Sequence, residues 1–112
     1  METITWDDFT KVDMRVGRIS DAAEFPDARK PAYLLTVDFG PELGTRKSSA
    51  QITDHYTPET LIGRLVVAVI NFPPKQIGPA RSECLVTGFY DENRGVVLCV
   101  PDGEVAPGPR LL

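Results

Sequence analysis

The sequence predicts an all-β protein: a small barrel of five strands with a short helix between the third and fourth. Three observations carry that reading. Leu65-Val66-Val67-Ala68-Val69-Ile70 is apolar and largely β-branched at consecutive positions, as in a strand buried on both faces or closed into a barrel. Tyr33 to Phe39 alternates with a period of two, placing Tyr33, Leu35, Val37 and Phe39 inward and Thr36 and Asp38 outward. Between them, Thr57-Pro58-Glu59 supplies an N-cap, a proline at the first helical position and an acid in the first turn.

In chain order, Thr5-Trp6-Asp7-Asp8-Phe9 opens as a one-turn helix with Thr5 as N-cap and two carboxylates at its positive end. Trp6 and Phe9 are three apart and share a face, which must rest either on the barrel floor or on a second subunit. Asp13 to Ala23 is the first strand, and Gly17 within it marks a bulge or sharp bend. Phe25 to Pro31 is a loop with prolines near both ends, and Tyr33 to Phe39 is the second strand. Gly40-Pro41-Glu42-Leu43-Gly44 turns into a polar third strand, Thr45 to Ile52. The connector Thr53 to Leu61 holds the helix, and Leu65 to Ile70 is the fourth strand.

Asn71 ends that apolar run, and Pro73-Pro74, lacking backbone donors, forces the chain out of the sheet. Gly78-Pro79 is a second break. The segment between carries Lys75, Gln76 and Ile77, with Arg81 and Ser82 just beyond. It reads as a proline-stiffened loop that loses little entropy on binding. A further strand follows to Tyr90, then a turn at Asp91 to Gly95, and Val96 to Val100 is another strand. Pro101 to Leu112 reads as an extended strap whose apolar end, Leu111-Leu112, needs a surface to land on. Three strands, a short helix and two strands, with extra pieces at both ends, is the order of an OB-fold, a partly open barrel whose face and loops bind oligonucleotides and other extended ligands.

Composition excludes several classes of function. The 112 residues, 42% hydrophobic and 25% charged, fit one soluble domain spanning 1–112. No run approaches the ~20 apolar residues of a membrane helix, and the N-terminus lacks the basic and apolar regions of a signal peptide, so no membrane insertion and a cytoplasmic location are expected. Cys84 and Cys99 lie in apolar runs and read as buried, reduced thiols. With His55 as the only histidine, no metal site is expected. Asp54 and His55 are adjacent on a connector and no nucleophile or phosphate cradle is placed by any motif, so no catalytic residue and no cofactor is assigned, and His55 is expected on the surface. The net charge of −4 is uneven: −4 over Met1 to Asp27, +3 over Ala28 to Arg81 and −3 over Ser82 to Leu112. A pI near 4.9 argues against non-specific phosphate binding. It leaves room for a small basic concavity on an acidic body.

Asp13-Met14-Arg15-Val16-Gly17-Arg18-Ile19, Ser48-Ser49-Ala50-Gln51-Ile52 and Val69 to Ile77 with Ser82-Glu83 resemble the CsaA-type secretion chaperones. That group is similar in turn to the tRNA-binding OB domains attached to bacterial methionyl- and phenylalanyl-tRNA synthetases. The resemblance implies a non-catalytic homodimer whose terminal segments form much of the subunit contact, which accounts for Trp6, Phe9, Leu111 and Leu112. In the wider tRNA-binding domains the serine after the basic loop is followed by any residue, glycine and methionine. Here Ser82 is followed by Glu83-Cys84-Leu85, a departure that favours the chaperone branch over tRNA.

The expected ligand site joins Ser48, Ser49, Gln51 and Asn71, which donate and accept hydrogen bonds, with Phe72, Lys75, Gln76, Ile77, Arg81 and Ser82. Cations beside large apolar groups suit an unfolded or export-bound polypeptide, while a phenyl ring equally stacks on a base of a structure-specific tRNA.

Overall fold

Hydrophobic alternation in the second strand builds the barrel wall, and the other elements are fitted to it. In the computed structural model, which describes residues 1–112, the order is α1 (Trp6–Thr10), β1 (Met14–Glu24), β2 (Tyr33–Asp38), β3 (Thr45–Ala50), α2 (Pro58–Leu61), β4 (Leu65–Val69), β5 (Lys75–Ile77), β6 (Ala80–Ser82), β7 (Leu85–Val86), β8 (Gly88–Tyr90) and β9 (Val96–Leu98). The main sheet is antiparallel in the order β3-β2-β1-β4-β7, with β5-β6 and β8-β9 as separate hairpins. It is an OB-fold barrel, as the element order predicts.

The coil of the barrel comes from β1, whose two halves serve different neighbours. Met14 to Arg18 pair with Val69 to Leu65 of β4, and Arg18 to Glu24 pair with Asp38 to Tyr33 of β2. The bulge expected at Gly17 falls later, where the β1–β2 register slips between Ile19 and Asp21. Gly17 is needed for packing instead: a Cβ there would lie 2.5 Å from Val37 Cγ1 and 2.8 Å from Phe39 Cε1, well inside the ~3.5–4.0 Å of favourable carbon contact. Ile19, Leu35, Val37, Phe39, Leu61 and Val66 are at most 1% exposed and form the centre of the core. Leu61 reaches it from α2, whose start is fixed by reciprocal bonds between Thr57 and Thr60.

Beyond β4 the chain differs from the sequence reading in two places. The stiffened loop is itself a hairpin, β5-β6, and Gly78 at φ +54° opens its two-residue turn, as turns matching strand twist require. The strand expected to run unbroken to Tyr90 divides at Thr87, so that β7 belongs to the main sheet and β8 to the hairpin with β9. Thr87 N–H donates to the Val67 carbonyl (3.0 Å), Val67 N–H to Cys99 O (3.0 Å) and Cys99 N–H to Thr87 O (3.0 Å). Three segments thus meet where the barrel turns its corner.

The C-terminal tail runs along the first half of β1. Gly108 N–H donates to Val16 O (2.8 Å), Val16 N–H to Pro109 O (3.2 Å) and Leu111 N–H to Met14 O (2.8 Å), so the tail is an extended strap as expected. No helix is long and apolar enough to cross a membrane.

Candidate ligand groove

The groove begins where β3 stops being sealed. Strand alternation sends successive side chains of β3 to opposite faces. Ser48 therefore points into the barrel, 1% exposed, beside Cys84, while Ser49 points outward. This corrects the expectation for Ser48: its hydroxyl is core packing and does not meet a ligand. Burial pushes the neighbouring Cys84 thiol up to about 11, so it stays protonated and unreactive, as read from its apolar run. Cys99 is free and partly exposed, so its expected burial is only partial.

On its outer edge β3 is held by side chains. Lys47 N–H donates to Glu83 Oε1 (3.0 Å), Glu83 N–H to Lys47 O (2.7 Å) and Ser49 N–H to Ser82 Oγ (3.0 Å). Ser82 and Glu83 are thus latches that close the barrel. Ser82 keeps its place beside the groove but spends an acceptor site on Ser49.

Past the latch, Ser49 and Gln51 line two hollows at once. One, of about 580 Å³, is walled by Lys75, Gln76 and Ile77 of the hairpin and by Asp27, Arg29 and Lys30 of the loop between β1 and β2. The other, of about 400 Å³, is walled by Leu85, Val86, Tyr90 and Val96. A cationic half and an apolar half therefore share one strand as their divide. The hairpin tip is set against the loop: a Cβ on Gly78 would lie 3.1 Å from Asp27 Cβ. Gln76 Nε2 donates to Gly78 O (2.9 Å), so part of its amide is committed to its own turn.

Other expected site residues lie elsewhere. Asn71 is a structural clamp, its Oδ1 accepting from Asp13 N–H (3.0 Å) and its Nδ2 donating to Lys11 O (2.6 Å). Those two bonds hold the N-terminal segment to the end of β4, so part of the exposed Asn71 amide is committed within the chain. Phe72 is 56% exposed and does not line either hollow. Arg81 is exposed on β6 opposite Gln76, where cross-strand partners share a face. Arg29, Lys30, Leu85, Tyr90 and Val96 were missing from the sequence reading. The Arg29-Lys30 pair between two prolines was the available signal.

His55 is partly exposed, as expected, and pairs with Asp91 instead of its neighbour Asp54: Nε2 lies 2.5 Å from Asp91 Oδ2. Hydrogen bonding from His55 holds the Asp91 carboxyl below the usual carboxylate range. Asp91 Oδ1 also accepts from Asn93 N–H and Gly95 N–H, both at 2.9 Å. The pair fixes the turn carrying Tyr90 and Val96, and the Arg94 guanidinium lies 4.4 Å over the Tyr90 ring.

Trp6, Phe9, Leu111 and Leu112 are brought together, with Val12 and Arg110, around a separate hollow of about 240 Å³. The Trp6 and Phe9 ring centroids are 5.6 Å apart. No residue of α1 is buried, so its apolar face does not rest on the barrel floor, and Trp6 and Leu112 are 68% and 98% exposed.

Residues 14–110 match the family described as "Putative tRNA binding domain". The chain belongs to the tRNA-binding domain family. Within it, the fold superposes on the CsaA chaperone of Bacillus anthracis with a TM-score of 0.92 at 46% identity, covering 99% of this chain and 100% of that one. The CsaA chaperone protein of Picrophilus torridus gives 0.91 at 46% identity over 98% and 100%. The methionine–tRNA ligase of Thiobacillus denitrificans is 40% identical over 98% of this chain. The match spans only 16% of that enzyme's length. The CsaA-type resemblance read from the sequence motifs and the OB-fold are thus both found.

Proposed function

We propose that residues 1–112 act as a single, non-catalytic binding domain that holds unfolded or export-bound polypeptide in the groove divided by Ser49 and Gln51. The observation that carries this reading is the joining of an apolar half to a cationic half on one strand. An unfolded chain offers apolar side chains, carboxylates and free backbone groups together, and uses both halves; a tRNA would use the cations for its phosphates but finds in the apolar half only Tyr90 as a stacking face for a base. The acid Asp27 beside the cations weighs further against a polyanion. The likeness to CsaA chaperones over the full length of both chains supports the same conclusion.

The protein acts in the cytoplasm as a homodimer. Its contact surface is the patch of exposed Trp6, Val12, Leu111 and Leu112 with the half-buried Phe9, apolar groups from both ends of the chain that one subunit alone does not fully cover. Two grooves on one dimer raise the apparent affinity for a long client through effective concentration.

A second reading, binding of structured tRNA by the same face, is favoured by Arg29, Lys30 and Lys75 converging on one hollow and by the family description. The two are separated by titrating a labelled, permanently unfolded polypeptide and bulk tRNA at low and moderate salt. Polypeptide binding that survives salt supports the first. Tight tRNA binding that collapses with salt, as counterion release demands, with no polypeptide binding, would replace it by the second.

A further inference from the structure

Building on the polypeptide reading above, we propose that the groove takes its ligand as an added β-strand: an extended, largely apolar segment with acidic residues at one end, paired through its backbone to the open edges at Val86 and Gln51. β3 and β7 are the two outer strands of the main sheet, and β8 has β9 as its one neighbour. The apolar hollow lies between these edges.

Register settles where the backbone groups point. Leu85 lies opposite Val69, and Thr87 N–H donates to Val67 O, so both turn toward β4. By antiparallel alternation the N–H and C=O of Val86 point the other way, into the opening. On β8, Thr87 O accepts from Cys99 N–H and Asp91 N–H donates to Gly95 O. Gly88 and Tyr90, between those bonded positions, therefore turn their amides away from β9. Across the opening the β2–β3 ladder ends with Ala50 opposite Tyr33, and neither the N–H nor the C=O of Gln51 is hydrogen-bonded within the chain.

Unpaired strand edges facing a hollow are a template for strand addition. The occupant that fits is an extended peptide, which brings its own unpaired backbone groups whatever its sequence. Its charge is set by the neighbouring half: Arg29, Lys30 and Lys75 stand beyond Gln51, so carboxylates belong at that end. Backbone recognition also gives the sequence tolerance that a holder of unfolded chains requires.

The test uses a short fluorescein-labelled peptide of alternating valine and threonine ending in aspartates, with two versions N-methylated at alternate peptide nitrogens. N-methylation removes a donor while keeping the side chains. The proposal expects the parent to bind and each methylated register to lose about tenfold or more, because alternate amides of an inserted strand face the Val86 edge and the Gln51 edge. Binding by either methylated form at the parent's strength would overturn pairing at both edges. So would failure of the parent while unfolded polypeptide still binds. If neither peptide nor unfolded polypeptide binds, the polypeptide reading itself falls, and this proposal with it. On the protein side, Gln51→Pro should lose binding and Gln51→Ala keep it; if Gln51→Pro melts well below the parent, the methylated series decides alone.

Discussion

Two parts of the same strand edge behave oppositely. At Lys47 and Ser49, β3 is bound to the segment before β7 by the Glu83 carboxylate, the Glu83 amide and the Ser82 hydroxyl. Two residues further on, at Gln51, that edge carries no bond and faces a groove. The barrel here is closed by side-chain latches rather than a continuous ladder, and where the latches end the proposed binding surface begins. On that proposal the sealed part serves stability and the open part recognition.

Variants on the two parts should therefore separate. The largest effect belongs to the barrel body: Gly17→Val forces a side chain onto Val37 and Phe39 and is expected to cost about 3 kcal/mol, read as the midpoint of urea unfolding. Glu83→Ala opens the latch and leaves the Lys47 N–H without its partner, and should cost about 1–2 kcal/mol, with Glu83→Gln recovering part. Lys30→Glu with Lys75→Glu acts on the open part alone. It should weaken polypeptide binding about tenfold, or ~1.4 kcal/mol, while the melting temperature stays near the parent's. Trp6→Ala with Leu111→Ala leaves the groove untouched and should shift the light-scattering mass toward the monomer; an unchanged dimer mass would remove the terminal patch as the contact.

The smallest effect is a pH dependence. The Arg15 hydrogen bond, 2.7 Å from Nε to Asp13 Oδ1, holds the Asp13 carboxyl below its ordinary value, with Arg110 adding attraction. A depressed carboxylate contributes stability above its unfolded value and loses it as pH falls through the folded one. The melting temperature should drop on acidification below about pH 4, and Asp13→Asn should flatten part of that drop by removing the group that titrates.

The barrel was legible in the sequence wherever one face of a strand is apolar. Tyr33, Leu35, Val37 and Phe39 all point inward, and each is at most 6% exposed. The short helix was legible from Thr57-Pro58, because capping is a local matter. Ser48 was misread although its parity with the buried Ala50 and Ile52 was available; a small hydroxyl in a core gives no hydrophobic signal. Gly78-Pro79 carried a hairpin turn that a reading of prolines as breaks passes over. Gly17, Asn71 and Glu83 act on residues 20 to 60 positions away, and no local pattern reports such partners. The groove's apolar wall was missed for a related reason, since Leu85, Tyr90 and Val96 become one surface only after the strand divides at Thr87.

The client site proposed is the open edge at Gln51, just past β3, and not the terminal patch. It is tested most directly by recording amide chemical shifts of the isotope-labelled protein while a permanently unfolded polypeptide is added. The account requires the largest changes at residues 49–51, 75–78 and 85–90, with residues 6–12 and 110–112 unmoved. Changes confined to the terminal segments would contradict it and place the client where the second subunit has been assigned.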